Sequence, residues 1–529
     1  MEGSPGTEFD AIVVGGGTNG LCAAAYLSRR SLRVLLLERM GRLGGAAITE
    51  EATLPGFRHD LLATSLNLWR AGDIAEELEL SRYGYREALP DPVAASPFPG
   101  GRTVTIHRDL ERTVRSIERF SSHDARRFRE VYEYYRTIRE FVIPSLYAAP
   151  ASLASSMAVL EGSPEGLEFL QFTYRSTRDW VEETFESEEV RAFFTLWSSN
   201  HLPLSPETAG SALVSLLFVG ILQEKGCAVP LGGIRALPDA LRRYVEAHGG
   251  TVRLRAPVAT IRVREGRATG VRLADGEEFS ARHGIVANVE PRHLFLDLVG
   301  SELLPPDFVA AVRKFRYSRV AQVMVHAALS GPPGFDRDEL QNAGIVQLGD
   351  SLDEVSGAFS QCVRGIPPDR PFLTVDNTSG YDPSRAPPGQ HTLWCFARAP
   401  VYPGGAPWTP SDLDAFADRC LARIEEHAPG LSRRIRARLL LSPQDIERIN
   451  PNIVNGDPGG GAATVDQLLQ LRPFPGWSRY RTPLKGLYMC GPATHPGGGI
   501  SGASGHNAAH ALLEDLASGG SGKEPLQEG

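Results

Sequence analysis

The chain has 529 residues, 42% of them hydrophobic, with a formal net charge of −8. This length allows a large core and more than one domain, while the acidic balance argues against a nucleic-acid binder. The six cysteines show no CxxC spacing, which argues against a disulfide framework or a zinc site and favours a reducing compartment. The first residues lack a signal-peptide pattern. We therefore expect a cytoplasmic protein without a bound metal.

A βαβ pattern opens the chain after a lead-in that we expect to be disordered over residues 1–8. Residues 10–14 predict a buried strand, 15–20 a turn, 21–30 an Ala-rich helix and 33–38 a second strand. The whole pattern spans about 30 residues, the length that one βαβ unit needs.

Later segments alternate between helical and α/β character. Residues 69–222 are rich in charged, helix-forming stretches, and the apolar stretch 212–222 is shorter than the roughly 20 residues of a spanning helix, so we expect a buried helix there. Further helices are predicted at 234–248, 411–427 and 503–516, and further strands at 251–254, 257–263, 270–273, 278–281, 283–287, 320–328 and 486–491.

The α/β stretches lie in three separate parts of the sequence, which one interrupted nucleotide domain explains most simply. We predict an α/β, Rossmann-type domain formed by residues 1–75, 225–300 and 484–516. Residues 76–224 and 301–483 would form an α+β substrate domain with a helical insertion. Residues 517–529 are expected to be a disordered tail.

The turn after the first predicted strand fits G-x-G-x-x-G, a motif that is informative only in its context. Gly15 permits the tight turn, Gly17 lets backbone approach a pyrophosphate, and Gly20 allows close packing of helix and strand. Thr18 and Asn19 open the helix, whose free N–H groups favour phosphate. Eighteen positions after Gly20, Glu38 can accept hydrogen bonds from a ribose diol.

Two further glycine-rich segments favour FAD over NAD. Gly44-Gly45-Ala46-Ala47 follows Glu38 and Arg39, and this second glycine pair resembles the extension of glutathione-reductase-like flavoproteins. Near the other end, Gly491 begins a loop that includes Gly499, Ile500 and Ser501 and leads into a small-residue helix. Such a loop can lie flat against a planar ring, and the helix directs its positive end toward it.

These motifs together resemble those of the bacterial-type phytoene desaturase family. The resemblance rests on Gly-Gly-Ala-Ala-x-Thr-Glu-Glu, on residues 55–57, 230–233, 287–291, 466–467, 472–473 and 480–483, and on residues 486–507. More narrowly, the chain is similar to the phytoene-dehydrogenase-like or pyridine-nucleotide-disulfide-oxidoreductase-like branch. The resemblance implies that the backbone of Val258 meets the adenine. His506 departs from the Arg or Tyr that relatives often have.

The resemblance implies an FAD-dependent oxidoreductase that passes hydride from a lipophilic substrate C–H to flavin N5 and forms a double bond. His495, in the flavin-side loop, is the one catalytic candidate, and a role in stabilising the loop is the alternative. Fold and cofactor do not fix the substrate. A flavin amine or amino-acid oxidase, a redox-neutral flavin isomerase and a non-catalytic flavoprotein therefore stay open. The electron acceptor is also open, between dioxygen and a quinone, as is peripheral contact with a membrane.

Overall fold

Two seven-stranded sheets organise the computed structural model, which describes residues 7–519. In chain order the strands are β1 (Glu8–Val14), β2 (Val34–Leu37), β3 (Thr49–Glu51), β4 (Arg58–Asp60), β5 (Glu87–Ala88), β6 (Ala94–Pro97), β7 (Thr103–Ile106), β8 (Val229–Pro230), β9 (Thr251–Arg253), β10 (Val258–Arg264), β11 (Arg267–Leu273), β12 (Glu278–Ala287), β13 (Val320–Leu329), β14 (Ile345–Leu348), β15 (Leu373–Asp376), β16 (His391–Pro400), β17 (Ile435–Leu441) and β18 (Leu487–Met489). The α-helices are α1 (Thr18–Ser28), α2 (Leu68–Ala71), α3 (Ile74–Glu77), α4 (Leu110–Glu118), α5 (Ser122–Leu146), α6 (Leu153–Leu160), α7 (Pro164–Thr173), α8 (Thr177–Thr184), α9 (Glu188–His201), α10 (Ser211–Lys225), α11 (Ala236–Ala247), α12 (Pro306–Lys314), α13 (Asp338–Gln341), α14 (Leu352–Val363), α15 (Thr378–Tyr381), α16 (Pro410–Glu425), α17 (Leu431–Arg434), α18 (Pro443–Ile449) and α19 (Ala503–Ala517).

The first sheet takes its strands from three distant parts of the chain. Its order is β10-β11-β12-β1-β2-β9, and β18 also pairs with β12. The pairs β1·β2, β1·β12, β2·β9 and β12·β18 are parallel, while β10, β11 and β12 pair antiparallel. Helices α1, α11 and α19 bury their apolar residues in one core against this sheet. This arrangement is a Rossmann-type α/β layer, as the sequence predicts.

The second sheet has the order β17-β13-β16-β15-β14-β6-β7 and is antiparallel except for the pair β6·β14. One face contributes alternate residues such as Val323 and Cys395 to a core with α16. The opposite face contributes Met324 and Trp394 to a separate cluster with Leu61 and Leu62. The second face is therefore turned toward the segment that follows the glycine pair.

Helices α4 to α10 form a layer of their own, and α10 is the predicted buried helix. Ten of its residues are buried, and a Cβ atom added to Gly220 would lie 2.2 Å from the ring of Tyr135 on α5. This close approach explains why a glycine interrupts the apolar stretch. Between residues 7 and 519, no helix combines the length and the apolar character needed to cross a bilayer.

A buried ion cluster joins β4 to the connection between β15 and β16 of the second sheet. The guanidinium of Arg385 lies 2.8 Å from a carboxylate oxygen of Asp60 and donates to Asp382 at 2.7 Å. Asp60 also accepts from the hydroxyl of Thr49 and from the backbone N–H of Ile234. All three charged side chains are almost fully buried, and both carboxylates pair with the one guanidinium.

The predicted elements differ from the observed ones mainly at their ends, with one clear error. The strands predicted at 278–281 and 283–287 form one strand, β12. Its pairing with β1 is irregular between Ala281 and Gly284, because two residues there face the single residue Asp10. This bulge produces the break in the apolar pattern without ending the strand.

Both predicted disordered ends also need correction. Glu8 already belongs to β1, and Ala517 still belongs to α19, because each residue continues the hydrogen-bonded element beside it. Residues 1–6 and 520–529 lie outside the described part of the chain. The limits of the two domains stay a prediction.

Candidate functional site

The first glycine turn brings backbone atoms closer together than any side chain would allow. Gly15 has a φ of 97°, and a Cβ atom added to Gly20 would lie 2.0 Å from the carbonyl oxygen of Gly15. A Cβ atom on Gly17 would lie 2.9 Å from the amide nitrogen of Asn288. The three glycines therefore keep the space in front of α1 open to a ligand.

The N-terminus of α1 suits an anion. Its N-cap residue is Gly17, which offers no side-chain cap, and its first turn carries no acidic residue. The hydroxyl oxygen of Thr18 is buried and has no hydrogen-bond partner in the protein. Free N–H groups and an unpartnered hydroxyl are the donors that a diphosphate needs, so these residues fit a dinucleotide.

Glu38 lies at the end of β2, beside this turn. One carboxylate oxygen accepts from the N–H of Gly16 at 2.7 Å, and the other accepts from the N–H of Met40 at 2.8 Å. These bonds fix the carboxylate, and each oxygen keeps a lone pair for a further donor. The arrangement fits recognition of a ribose diol.

The second glycine pair lies directly against the first turn. Gly44 donates its N–H to the carbonyl oxygen of Gly16 at 2.9 Å and forms a bridge with Gly17. Both Gly44 and Gly45 have positive φ angles, of 116° and 64°. Ala47 then donates to the carbonyl oxygen of Gly44, which closes a tight turn.

The C-terminal loop reaches the same place from the opposite end of the chain. A Cβ atom added to Gly505 of α19 would lie 1.9 Å from the carbonyl oxygen of Asn19 in α1. Helix α19 begins after Gly502 without a side-chain cap. Two uncapped helix N-termini therefore meet at one site, and both favour negative charge there.

Asn288 is a residue of this site that the motifs did not single out. Its side-chain amide nitrogen lies 3.5 Å from the carbonyl oxygen of Gly15, and its amide oxygen would lie 2.7 Å from a Cβ atom on Gly491. Its backbone carbonyl accepts from Asn452 at 2.9 Å. Asn288 therefore contacts both glycine turns. The signals in the sequence are its position directly after the buried strand β12 and its place in the segment 287–291, which carries part of the family resemblance.

Arg472 is a second residue whose role was not predicted. Its buried guanidinium donates to the carbonyl oxygens of Gly459 and Pro492, each at 2.5 Å, and to that of Gln467 at 3.3 Å. Burial lowers the pKa of Arg472 to about 10, so the group stays cationic at neutral pH. By binding the carbonyl oxygen of Pro492, Arg472 holds the start of the C-terminal loop in place.

The remaining predicted residues surround this centre. Val258 starts β10, two residues after Ala256, which donates its N–H to the carbonyl oxygen of Glu38 at 2.9 Å. Arg39 is exposed, while Ile500 packs on the core of α1 and α19. A Cβ atom on Gly499 would lie 2.5 Å from Leu68.

His495 makes a structural contact. Its Nε2 lies 2.9 Å from the carbonyl oxygen of Ser145 at the end of α5, and its own carbonyl accepts from the Tyr480 hydroxyl. Burial lowers the pKa of His495, which keeps the ring neutral. These contacts support the loop-stabilising alternative for this residue.

Comparison with known proteins identifies this architecture. The family described as flavin containing amine oxidoreductase matches residues 20–429. A mouse protein, pyridine nucleotide-disulfide oxidoreductase domain-containing protein 2, is 33% identical, over 96% of this chain and 94% of its own length. The chain belongs to the flavin containing amine oxidoreductase family. It is an FAD-dependent oxidoreductase.

Two further relatives agree with this family, and one solved structure shares the fold. A limonene dehydrogenase chain of Castellaniella defragrans is 30% identical, over 96% of this chain and 95% of its own. The lycopene-forming phytoene desaturase of Pantoea ananas is 26% identical, over 95% and 99%. The predicted resemblance to phytoene desaturases is thus confirmed. An oxidoreductase structure from Methanosarcina mazei superposes with a TM-score of 0.61 at 18% identity, covering 95% of this chain and 99% of that one.

The mouse relative's name includes disulfide chemistry, which the cysteines of this chain do not support. All six cysteines are free and buried. Burial raises the pKa of Cys22 and of Cys490, the two nearest the glycine turns, so neither is a reactive thiolate at neutral pH. We therefore relate the chain's family membership to its flavin site and not to a reactive cysteine.

Replacing Glu38 tests the predicted cofactor contact. We expect Glu38→Ala to weaken FAD binding by roughly 10- to 100-fold, because a hydrogen bond to a charged group contributes about 1.5–3 kcal/mol. The measurement is a titration of apoprotein with FAD, followed by flavin fluorescence. Glu161→Ala, at an exposed site, is the matched control and should leave the dissociation constant unchanged. Equal FAD affinity in both variants would show that Glu38 does not contribute to FAD binding.

Proposed function

We propose that the chain oxidises a largely apolar small molecule by removing two hydrogens from adjacent carbon atoms. When bound, FAD supplies the hydride acceptor at N5. The protein's contribution is to place the substrate and to exclude water from it. Fold and cofactor alone do not select this substrate class, so the proposal depends on the surroundings of the glycine turns.

An apolar cluster beside the second glycine pair carries the proposal. Met324, Trp394 and Phe396 on the second sheet pack with Leu61 and Leu62. Ala63 donates its N–H to the carbonyl oxygen of Ala46, so the segment 61–63 runs beside the predicted cofactor contacts. Ala46 itself packs against this cluster. A hydrocarbon placed here would contact apolar side chains and backbone N–H groups that are already hydrogen-bonded to carbonyl oxygens.

The names of two relatives agree with this reading. The limonene dehydrogenase chain and the phytoene desaturase are named after hydrocarbons, and both align over nearly the whole chain. Trp394 and Phe396 meet edge to face, with an interplanar angle of 78°, and do not form a pair of facing rings that would enclose an ammonium group.

An exposed apolar surface supports the same substrate class and a contact with lipid. It consists of side chains between 48% and 75% exposed at the end of α5, on α6 and α7 and in the loop that contains residues 465–471: Phe141, Leu153, Val159, Leu167, Val465 and Leu469. The base of this surface is tied to the cofactor side, because Asn507 of α19 donates to the carbonyl oxygen of Leu146. We infer that this surface rests on a membrane from which the substrate enters.

Anaerobic reduction of the flavin separates the substrate classes. We expect limonene or phytoene in detergent to bleach the flavin band near roughly 450 nm. Putrescine and cyclohexylamine should leave the band unchanged, because Trp394 and Phe396 meet edge to face and do not enclose an ammonium group between them. Mass spectrometry should then find a hydrocarbon product that has lost two hydrogens. Bleaching by the amines alone would replace this proposal with amine oxidation.

A vesicle experiment tests the exposed surface. We expect the protein to co-sediment with phosphatidylcholine vesicles, with little dependence on salt, since Glu161 and Glu165 beside the apolar residues give no attraction to anionic lipid. Val159→Asp should lower the bound fraction several-fold, because a charge replaces a side chain that is 75% exposed. Val363→Asp, at an exposed valine outside this surface, is the control. Equal binding of both variants would contradict the contact.

A further inference from the structure

One face of the second sheet carries buried polar side chains that have no partner. Strands β14, β15, β16 and β13 place Ile345, Asp376, Trp394 and His326 side by side in one row, and Gln347, Thr374, Phe396 and Met324 in the next. Directly opposite side chains on paired strands lie about 4.5–5.5 Å apart. The eight residues therefore form one continuous surface.

Five of these residues have polar atoms without a hydrogen bond in the protein. We call them the polar patch: His326, Gln347, Thr374, Asp376 and Trp394. The unpaired atoms are the Thr374 hydroxyl, Nε2 of Gln347, Nε1 of Trp394, Nδ1 of His326 and both carboxyl oxygens of Asp376. The Ser65 hydroxyl lies near Asp376 but outside hydrogen-bonding geometry. Leaving a buried polar group unpaired destabilises a folded protein. So many on one surface indicate a polar occupant.

The elements that cover the polar patch connect it to the cofactor side. Gln347 accepts from Asn200 of α9 at 2.8 Å, and His326 contacts the carbonyl oxygen of Leu61 at 3.2 Å. Leu61 in turn donates its N–H to the carbonyl oxygen of Ile48, next to the predicted cofactor contacts Ala46 and Ala47. The patch thus adjoins the apolar cluster in which we place the substrate.

At physiological pH the polar patch carries at most one negative charge, on Asp376. Burial raises the pKa of Asp376 to about 7, with the nearby Asp60 raising it further and the Ser65 hydroxyl lowering it. Burial lowers the pKa of His326 to about 4, so this ring is uncharged. Among the described residues, no cation forms an ion pair with Asp376.

The unpaired atoms include both donors and acceptors, and this mixture selects among possible occupants. The N–H groups of Gln347 and Trp394 need an acceptor, while the oxygens of Asp376 and Thr374 can take a donor. An ammonium group only donates and a carboxylate only accepts, so each would leave half of the patch unpaired. A hydroxyl group does both.

We propose that the polar patch binds a hydroxyl group of the substrate, with Asp376 accepting its hydrogen and Gln347 and Trp394 donating to its oxygen. This inference rests on the proposed function and narrows its substrate to a molecule with an apolar body and one hydroxyl group. Asp376 is then the residue that selects this group. The apolar cluster with Met324 and Phe396 holds the remainder.

Binding of three matched probes to the FAD-loaded protein tests the polar patch. The probes are cyclohexanol, cyclohexylamine and cyclohexane, followed by the change in flavin absorbance and, independently, by the thermal unfolding temperature. We expect cyclohexanol to bind about tenfold more tightly than cyclohexane, because only cyclohexanol can form the proposed hydrogen bonds with Asp376, Gln347 and Trp394. Asp376→Leu should reduce this preference about fivefold, and Asp376→Asn, which keeps an acceptor oxygen, should restore part of it.

The control and the opposing outcomes separate this proposal from the proposed function. Asp369→Leu, at a side chain that is 84% exposed, should retain the full preference for cyclohexanol. Equal affinity for cyclohexanol and cyclohexane in the unsubstituted protein would show that the patch holds only structural water, and tighter binding of cyclohexylamine would make it a cation site. Either result overturns the hydroxyl site. Failure of the proposed function appears separately, as a flavin that hydrocarbons do not bleach.

Discussion

Helices α1 and α19 approach each other so closely that no side chain fits between Gly505 and the backbone of Asn19. This contact brings the start of α1 and the last described helix to one place, although nearly the whole chain separates them in sequence. It aligns two uncapped helix N-termini toward the same space. Because a Cβ atom at Gly505 or Gly20 would collide with a carbonyl oxygen, the site depends on glycine at these positions.

The other segments are arranged around that contact. Asn288 directly follows strand β12, and its side chain reaches both glycine turns, while the guanidinium of Arg472 fixes the start of the C-terminal loop. The buried charges of Asp60, Arg385 and Asp382 attach the second sheet to the segment that follows the glycine pair. The cofactor side and the face of the second sheet are therefore held together by charges that tolerate little displacement.

The face of the second sheet changes in character from one strand to the next. On β13 and β16 it is mainly apolar and aromatic, apart from the polar ring atoms of His326 and Trp394, while β14 and β15 contribute Gln347, Thr374 and Asp376. An apolar substrate explains the first half of this surface, and a hydroxyl group on that substrate explains the second. A purely hydrocarbon interior would not need the unpaired oxygens of Asp376.

Local sequence was sufficient to predict the glycine turn between β1 and α1. Gly15, Gly17, Gly20 and Glu38 stand at spacings that one βαβ unit requires, so the cofactor contacts proposed for them rest on neighbouring residues alone. The polar patch could not be predicted in this way, because its members come from four strands whose order along the sheet differs from their order in the sequence. The roles of Asn288 and Arg472 were not predicted for a similar reason. Each side chain contacts a backbone carbonyl group that is not its neighbour in the sequence.

The error at β12 has a local cause. Arg282 and His283 interrupt the apolar alternation and suggest two strands, but the pairing with β1 continues across the bulge. His495 shows a different limit of prediction from sequence. Its position in the flavin-side loop is clear from the sequence, whereas its contact with Ser145 depends on where the long helix α5 ends.

Identification of the flavin released from the purified protein tests the central claim most directly. The account predicts FAD in a one-to-one ratio to the chain, with absorption bands near roughly 375 and 450 nm that are perturbed relative to free FAD. A protein that carries no flavin, and that takes up none when FAD is added to the apoprotein, would contradict the assignment of the two glycine turns and the paired helix N-termini to the cofactor.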